Sequence, residues 1–178
     1  MPGYKVSFTM VGQKEISRTF ATLGEAVRNL KPAWDGVVDQ VLIPMAKEQF
    51  DTEGKRVGGW QELSPVKRYR LKSRPGELVT YAEWKVAKGF SKRILQKTGL
   101  MKESLERSGP GKGMGILRTT DDYLEYGTEV PYSIHHQMGH GHLPQRRILI
   151  FWKEDWQKTM RIIRKHIWKN TGVSAQPG

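Results

Sequence analysis

The chain has 178 residues and no cysteine, and its 30 lysines and arginines outnumber 18 acidic residues, giving a formal net charge of +12. A hydrophobic content of 37% indicates a globular protein, and the missing cysteines exclude disulfides and thiolate metal sites. No apolar run approaches the roughly 20 residues of a membrane helix, and the first residues lack a signal-peptide pattern. We therefore expect a protein used without export. Its charge implies an anionic partner, and a membrane is the least favoured one.

The N-terminal segment predicts a strand followed by a short helix. In YKVSFTMVG the apolar residues Val6, Phe8 and Met10 alternate with polar ones, which is the period of a strand with one buried face. Thr22 and Glu25 then have the spacing of a capping box. A helix is expected to begin just after Thr22 and to end before the next proline.

A longer helix is predicted from Pro32 to Gly54. Its apolar residues fall near one face at helical spacing, namely Trp34, Val37, Val38, Val41, Met45 and Phe50. Pro44 lies inside this segment and lacks the N–H that the helical ladder requires. We expect a kink there.

A basic segment follows the glycine-rich loop KRVGGWQELSP. Ser64 and Pro65 resemble a helix start, which predicts a third helix carrying Lys67, Arg68, Arg70, Lys72 and Arg74. This helix presents either a solvated basic face or a phosphate-contacting one. The candidate anion contacts are Lys67, Arg68, Arg70 and Lys72 here, and Lys158, Arg161 and Lys165 near the C-terminus.

Residues 73–92 show no clean period and contain the turn signal Pro75-Gly76. We interpret them as an inserted arm, partly disordered in the free subunit over residues 76–92. The following SKRILQKTGLMKESLERS predicts two short helical pieces, broken at Thr98-Gly99. A flexible glycine-rich tip, GPGKGMG, then precedes a hairpin formed by GILRTT and DYLEYGTEV.

The C-terminal third predicts a short helix or turn, a strand and a long helix. YSIHHQM is the short element, and RRILIF is an apolar run of strand length. KEDWQKTMRIIRKHIWKN is the clearest amphipathic helix, with an apolar stripe of Trp152, Trp156, Met160, Ile163 and Ile167. Residues 171–178 have the composition of a disordered tail.

Four of the five histidines, His135, His136, His140 and His142, lie within eight residues. His136 and His140 are four apart, but Gly139 and Gly141 argue against one continuous helix. No acidic residue stands at a recognised ligand spacing, so we expect no native metal and no cofactor. Because phosphate-loop, nucleophile-elbow and metalloprotease motifs are also missing, we expect no enzyme.

Trp60 differs from the other tryptophans because it lies in a glycine-rich loop. Two interpretations are open. It is either a local lid on the core or an exposed anchor in a protein interface, where tryptophan is enriched.

Four segments in fixed order resemble the phage virion morphogenesis family, the tail-completion or neck proteins of Mu-like and P2-like phages. In GGWQELSP the matching residues are Gly58, Trp60, Leu63 and Ser64. In ILQKTGLMKESL they are Ile94, Leu95, Thr98, Gly99, Ser104 and Leu105, with Met101 in place of leucine. In EYGTEVPYSIHHQMG they are Gly127, Thr128, Tyr132, His136, Gln137 and Gly139, with Ser133 in place of alanine. In LPQRRILIF they are Pro144, Arg146, Ile148 and Leu149, with Arg147 in place of proline.

These segments span roughly half the chain, and residues 72–92 are longer than the usual spacer of the family. The resemblance implies a non-enzymatic subunit of a homo-oligomeric ring, either a hexamer or a dodecamer, at the head–tail junction of the virion. It would be made in the host cytoplasm, contact the head connector and tail terminator or tube proteins, and surround passing DNA. The implied interface and architecture residues are Trp60, Leu63, Ser64, Thr98, Gly99, Tyr132, His136, Gly139, Pro144 and Arg146. Among them we expect Trp60 to be an interface anchor and Arg146 to be a bidentate donor to a carboxylate or a backbone acceptor.

The predicted fold is α+β, with a small antiparallel sheet packed by a long kinked helix and a C-terminal amphipathic helix. One tail-completion domain is expected over residues 1–170, with the arm near 73–92. The alternative function is a stand-alone, basic nucleic-acid-binding module. Its weakness is that no helix-turn-helix, RNA-recognition or zinc-finger pattern is present.

Overall fold

A three-stranded antiparallel sheet brings the N-terminal segment beside the middle of the chain. The computed structural model describes residues 6–11, 28–106, 114–141 and 143–171. Strand β1 (Val6–Val11) pairs with β5 (Tyr123–Thr128), which also pairs with β4 (Gly115–Thr119), in the order β1-β5-β4. The predicted first strand and hairpin are confirmed, and so is the α+β class. The short helix expected after Thr22 and most of the glycine-rich tip lie outside the described residues.

The long helix runs as three successive segments: α1 (Lys31–Val37), a π-helical segment (Val38–Leu42) and α2 (Ile43–Asp51). Pro44 has no N–H to donate, and the π-helical turn just before it lets the Ile43 N–H reach the Val38 carbonyl instead. The predicted disturbance of the ladder at Pro44 therefore takes the form of a π-bulge. All six apolar residues predicted for the inner face are buried in the core.

The predicted basic helix after Ser64 is wrong. Residues 59–68 are irregular, and a hairpin follows, in which β2 (Tyr69–Leu71) pairs with β3 (Arg74–Val79). Leu71 in β2 and Val79 in β3 are buried, whereas the residues next to them in their strands are exposed. This pattern suits strands, in which successive side chains point to opposite faces. The Ser-Pro start signal was therefore overridden by the pairing of two short strands, which leaves the neighbouring cations exposed.

The segment predicted as an irregular arm contains regular secondary structure. It comprises β3 and helix α3 (Tyr81–Ala87), which begins with a capping box between Thr80 and Glu83. The rings of Tyr69, Tyr81 and Trp84 form one cluster, with all three centroid distances between 5.2 and 5.9 Å. The expectation of an irregular segment at 73–92 is thus wrong. The hydrophobic pattern of these twenty residues has no single period because a short strand is followed directly by a short helix.

Only the second of the two helical pieces predicted around Gly99 is present. Residues 91–97 form turns, in which Leu95 has a positive φ of 57°. Helix α4 (Leu100–Glu106) then packs on β4 and β5. The Ser104 and Thr128 hydroxyls are 2.7 Å apart, and the Tyr126 hydroxyl donates to the Leu105 carbonyl.

Helix α5 (Ser133–Met138) confirms the predicted short element, and α6 (Lys153–Thr171) confirms the long C-terminal helix. The apolar stripe of α6 was only partly right. Ile163 and Ile167 are buried, but Trp152 and Trp156 are 42% and 47% exposed. The N-terminal part of the buried face is formed instead by Asp155 and Thr159, and the Asp155 carboxylate accepts from Arg56 Nη2 at 2.6 Å.

The run RRILIF is not a strand, contrary to its prediction. Residues 144–152 are extended or bent without ladder pairing. Within the described residues, no helix is long and apolar enough to cross a membrane. Residues 172–178, predicted as a disordered tail, lie outside the described part.

Candidate interaction groove

A surface groove of about 1120 Å³ lies where four separate chain segments meet. The segment after Trp60, the β2–α3 region, the turns before α4 and the α5–Pro144 region each contribute to its lining. Three of these four segments, all except the β2–α3 region, contain motifs singled out from the sequence. We call this feature the central groove. Its lining residues are Gln61, Glu62, Leu63, Ser64, Pro65, Val66, Arg68, Tyr69, Tyr81, Lys85, Leu95, Lys97, Thr98, Leu100, Tyr132, His136, Leu143, Pro144 and Arg146.

The central groove collects most of the residues that the sequence singled out. Seven of the ten predicted interface or architecture residues line it: Leu63, Ser64, Thr98, Tyr132, His136, Pro144 and Arg146. Of the other three, Trp60 and Gly99 lie next to lining residues in the chain, and Gly139 lies three residues after His136. Motifs up to about 80 residues apart in sequence are therefore parts of one surface.

Arg146 links the segment after Trp60 to the α5–Pro144 region. Its Nε and Nη2 both donate to the Gln61 carbonyl, at 3.1 and 2.9 Å, and Nη2 also lies 3.5 Å from the Glu62 carbonyl. The residue is only 5% exposed, and its backbone N–H donates to the His136 carbonyl at 2.7 Å. The predicted bidentate donor is present, and its acceptor is backbone. Burial lowers the pKa of Arg146 from its ordinary value.

Gln137 explains why the run after Arg146 needs no neighbouring strand. Its side-chain oxygen accepts from the N–H groups of Ile148 and Leu149, at 2.7 and 3.1 Å, and its Nε2 donates to the Leu149 carbonyl at 2.8 Å. The Arg147 carbonyl accepts from Gln49 Nε2 and Trp60 Nε1. Side chains thus satisfy backbone groups that a sheet would otherwise pair.

Trp60 is a lid on the core, and the next residue in the chain, Gln61, lines the groove. It is 6% exposed, packs edge-on against Phe50 at 5.5 Å and donates through Nε1 to the Arg147 carbonyl at 3.1 Å. Of the two interpretations, the structure supports the lid, because so buried an indole presents little surface to another chain. Gly54 makes this packing possible, since a Cβ at that position would lie 2.3 Å from the indole.

Two glycines of the motifs have positive φ angles at helix boundaries. Gly139 (φ 71°) ends α5, and a Cβ there would meet the backbone nitrogen of Gln145 at 3.0 Å. Gly99 (φ 77°) directly precedes α4. Both conformations favour glycine, so these residues shape the groove without lining it.

His136 is held in the neutral state. Burial, with a smaller contribution from the Arg146 charge, lowers its pKa from 6.5 to about 4. Its ring also lies edge-on to Tyr132 at 6.3 Å. The neighbouring His135 and His140 rings are 5.2 Å apart, and His142 lies outside the described residues. Among those that are described, no three His, Asp or Glu side chains are grouped to hold a metal ion.

The two buried cations of the groove donate hydrogen bonds to backbone carbonyls. Besides Arg146, Lys85 is 1% exposed and its Nζ donates to the Arg93 carbonyl at 2.7 Å. Burial lowers the pKa of Lys85. Sequence reasoning missed Lys85, and its place among exposed lysines in an aperiodic segment offered no signal for it.

The rim of the groove is rich in exposed apolar side chains. Five large ones that are at least 36% exposed line it: Val66, Tyr69, Leu100, Tyr132 and Leu143. Apolar side chains that cluster on a surface mark binding sites more often than isolated ones do. The arrangement therefore suits apolar contact with another macromolecule. Only Tyr132 was named from sequence.

The predicted anion contacts lie on two different surfaces. Arg68 lines the central groove, and Lys67, Arg70 and Lys72 are exposed on or beside the β2–β3 hairpin. Lys158, Arg161 and Lys165 are exposed on α6. The structure therefore does not bring all the predicted anion contacts together.

No family model matches this chain, and no curated protein or solved structure gives a significant match.

Proposed function

We propose that this protein is a non-enzymatic assembly subunit of a tailed phage. It completes the tail or neck and enables head–tail joining as a homo-oligomeric ring. In this role it contacts the head connector and the tail terminator or tube proteins at the junction of the virion, with DNA passing through the assembled ring, and it needs no membrane and no cofactor.

The central groove is the observation that supports this proposal most strongly. Residues matched to the resembling family converge there although they are far apart in sequence, and exposed apolar side chains surround them. Its buried cations, Arg146 and Lys85, donate to backbone carbonyls. Such a groove suits binding of a protein surface better than it suits the chemistry of a reaction.

A matched pair of valines tests whether the groove is an assembly surface. Val66 lines it and is 46% exposed, whereas Val86 on α3 is 55% exposed and does not line it. Val66→Glu would place a charge in a subunit contact, whereas Val86→Glu makes the same change elsewhere. Native mass spectrometry and sedimentation across a concentration series would measure ring assembly. Val66→Glu should abolish the rings or lower the association constant of each subunit contact at least ~tenfold, which is about 1.4 kcal/mol, whereas Val86→Glu should leave it unchanged. Equal assembly of both variants would count against the groove.

Deletion of the gene from an inducible phage tests the biological role. A subunit that only bridges two structures makes no covalent change, so DNA synthesis and head filling are expected to continue without it. Electron microscopy of lysates should show filled heads and separate or aberrant tails. Normal infectious particles, or empty heads, would refute the proposal.

The alternative is a basic nucleic-acid-binding module, which the net charge of +12 and the exposed cations of α6 favour. Salt dependence separates the two functions. A stand-alone binder of duplex DNA loses affinity for the free duplex by orders of magnitude as salt rises. A ring subunit binds free duplex DNA weakly until it is assembled.

A further inference from the structure

The outer surface of α6 combines cations and indoles in an unusual way. The helix is 19 residues long, or roughly 28 Å at 1.5 Å per residue. After Asp155 it contains five lysines and arginines and no acid. Asp155 itself is buried against Arg56, so it does not neutralise the outer surface.

Two side-chain rows spaced by four residues border a shallow groove along this surface. One row includes Trp156, Arg164 and Trp168, and the other includes Arg161, Lys165 and Lys169. Residues four apart in a helix lie on one face, so each row is a continuous ridge. None of the four cations in these rows is in an ion pair with another described residue.

We propose that this α6 groove binds single-stranded nucleic acid. The four cations would contact successive phosphates, and the exposed indole of Trp156 would stack on an unpaired base. Every base has a flat face, and stacking on an aromatic side chain needs no particular sequence. Paired bases in a duplex do not offer that face, which is why the aromatic residues favour single strands. This inference does not depend on the proposed assembly function.

An anionic membrane is the main competing partner, and the packing of α6 argues against it. A helix that lies on a membrane inserts its apolar face between the lipids. Here Ile163 and Ile167 are each 1% exposed because they pack in the protein core. The outward face offers only Trp156 and parts of Met160 and Trp168 among its cations in the groove lining. Charge complementarity without a free apolar face favours a polyanion in water.

Two triple variants with the same charge change test the phosphate contacts. The groove variant replaces three cations by glutamine at Arg161, Lys165 and Lys169. The control replaces three exposed lysines by glutamine at positions outside both sets of predicted anion contacts, namely Lys47, Lys88 and Lys92. Both lower the net charge by three, so a general electrostatic effect would change them equally.

The full-length protein would be titrated into a fluorescein-labelled oligothymidine of about 20 nucleotides, and into a duplex of equal length, while anisotropy is measured at several salt concentrations. The slope of log affinity against log salt should become shallower by about 2 in the groove variant. Its affinity near 0.1 M salt should fall about tenfold or more, and that of the control less than about threefold. The wild type should bind the single strand more tightly than the duplex.

A pair of tryptophans separates stacking from charge. Trp156→Ala should weaken binding of the oligothymidine about tenfold, whereas Trp152→Ala should leave it nearly unchanged. Both indoles are exposed to a similar extent, but only Trp156 lines the groove. Circular dichroism and thermal unfolding would check that the four variants are folded.

Several results would overturn the proposal: no binding of the oligothymidine, tighter binding of the duplex, equal losses in the two triple variants, or equal losses in the two tryptophan variants. Binding to vesicles of phosphatidylserine and phosphatidylcholine, abolished in the groove variant while the oligothymidine stays unbound, would assign the surface to a membrane instead. Intact binding in a protein that fails to form rings would leave this inference standing and refute the assembly function alone.

Discussion

Replacing Gln137 by methionine should destabilise the protein more than its partly exposed position suggests. The amide accepts from two backbone N–H groups, of Ile148 and Leu149, and donates to the Leu149 carbonyl. Methionine has a similar length but supplies none of these partners, so three backbone groups lose their hydrogen bonds. An unsatisfied buried group costs about 1–3 kcal/mol, and partial access to water reduces this to roughly 1 kcal/mol each. We therefore expect a loss of about 3 kcal/mol.

Two further variants make this prediction specific. Gln137→Glu keeps the acceptor oxygens but removes the donor to Leu149, so it should cost less than Gln137→Met. Gln145 is exposed, and its side-chain amide donates one hydrogen bond within the described residues, to the Gln137 carbonyl at 3.1 Å. Gln145→Met should therefore lower the unfolding free energy by about 0.5 kcal/mol or less. Urea unfolding followed by tryptophan fluorescence measures all three. A Gln137→Met variant within about 1 kcal/mol of wild type would refute the reasoning.

Three more predictions follow from the geometry of the site. Because the pKa of His136 is about 4 in the folded protein and 6.5 ordinarily, the unfolded chain binds more protons between these values, and stability should fall as the pH drops from 6.5 to 4. Across this pH range the unfolding free energy of the wild type, measured in urea, should fall by about 2 kcal/mol more than that of His136→Gln, after allowance for solvent screening. Parallel pH profiles of the two proteins would contradict the lowered pKa of His136. Gly54→Ala should cost about 2–4 kcal/mol in unfolding free energy, because its Cβ would collide with Trp60. Gly58→Ala, at a similar φ of 84° with open space around it, should cost only about 1 kcal/mol, and equal costs would disprove the packing argument. Elemental analysis of protein purified without a metal-affinity step should find no stoichiometric metal, whereas about one zinc per chain would contradict the view that the histidines hold none.

Local patterns in the sequence were sufficient where one element has one dominant period. The strand around Phe8, the long apolar face beginning at Trp34 and the C-terminal helix were all predicted correctly as elements. The spacing of apolar residues indicates the period of such an element directly. Seven of the ten residues singled out from short sequence motifs also lie together in the groove.

Only the tertiary structure decided the elements whose backbone or side chains depend on distant residues. The run RRILIF has strand composition, yet Gln137, Gln49 and Trp60 satisfy its backbone from other segments, so no strand forms. The segment after Ser64 has a helix start signal, yet pairing with residues 74–79 makes it a hairpin.

The same dependence explains the two tryptophan assignments. Trp156 has the spacing of a core residue but is 47% exposed, because Asp155 and Thr159 take the buried positions in that part of α6. Trp60 lies in a loop but is buried, because Gly54 leaves room for its ring. Sequence periodicity records which residues share a face, whereas the packing of one element on another determines which part of that face is covered.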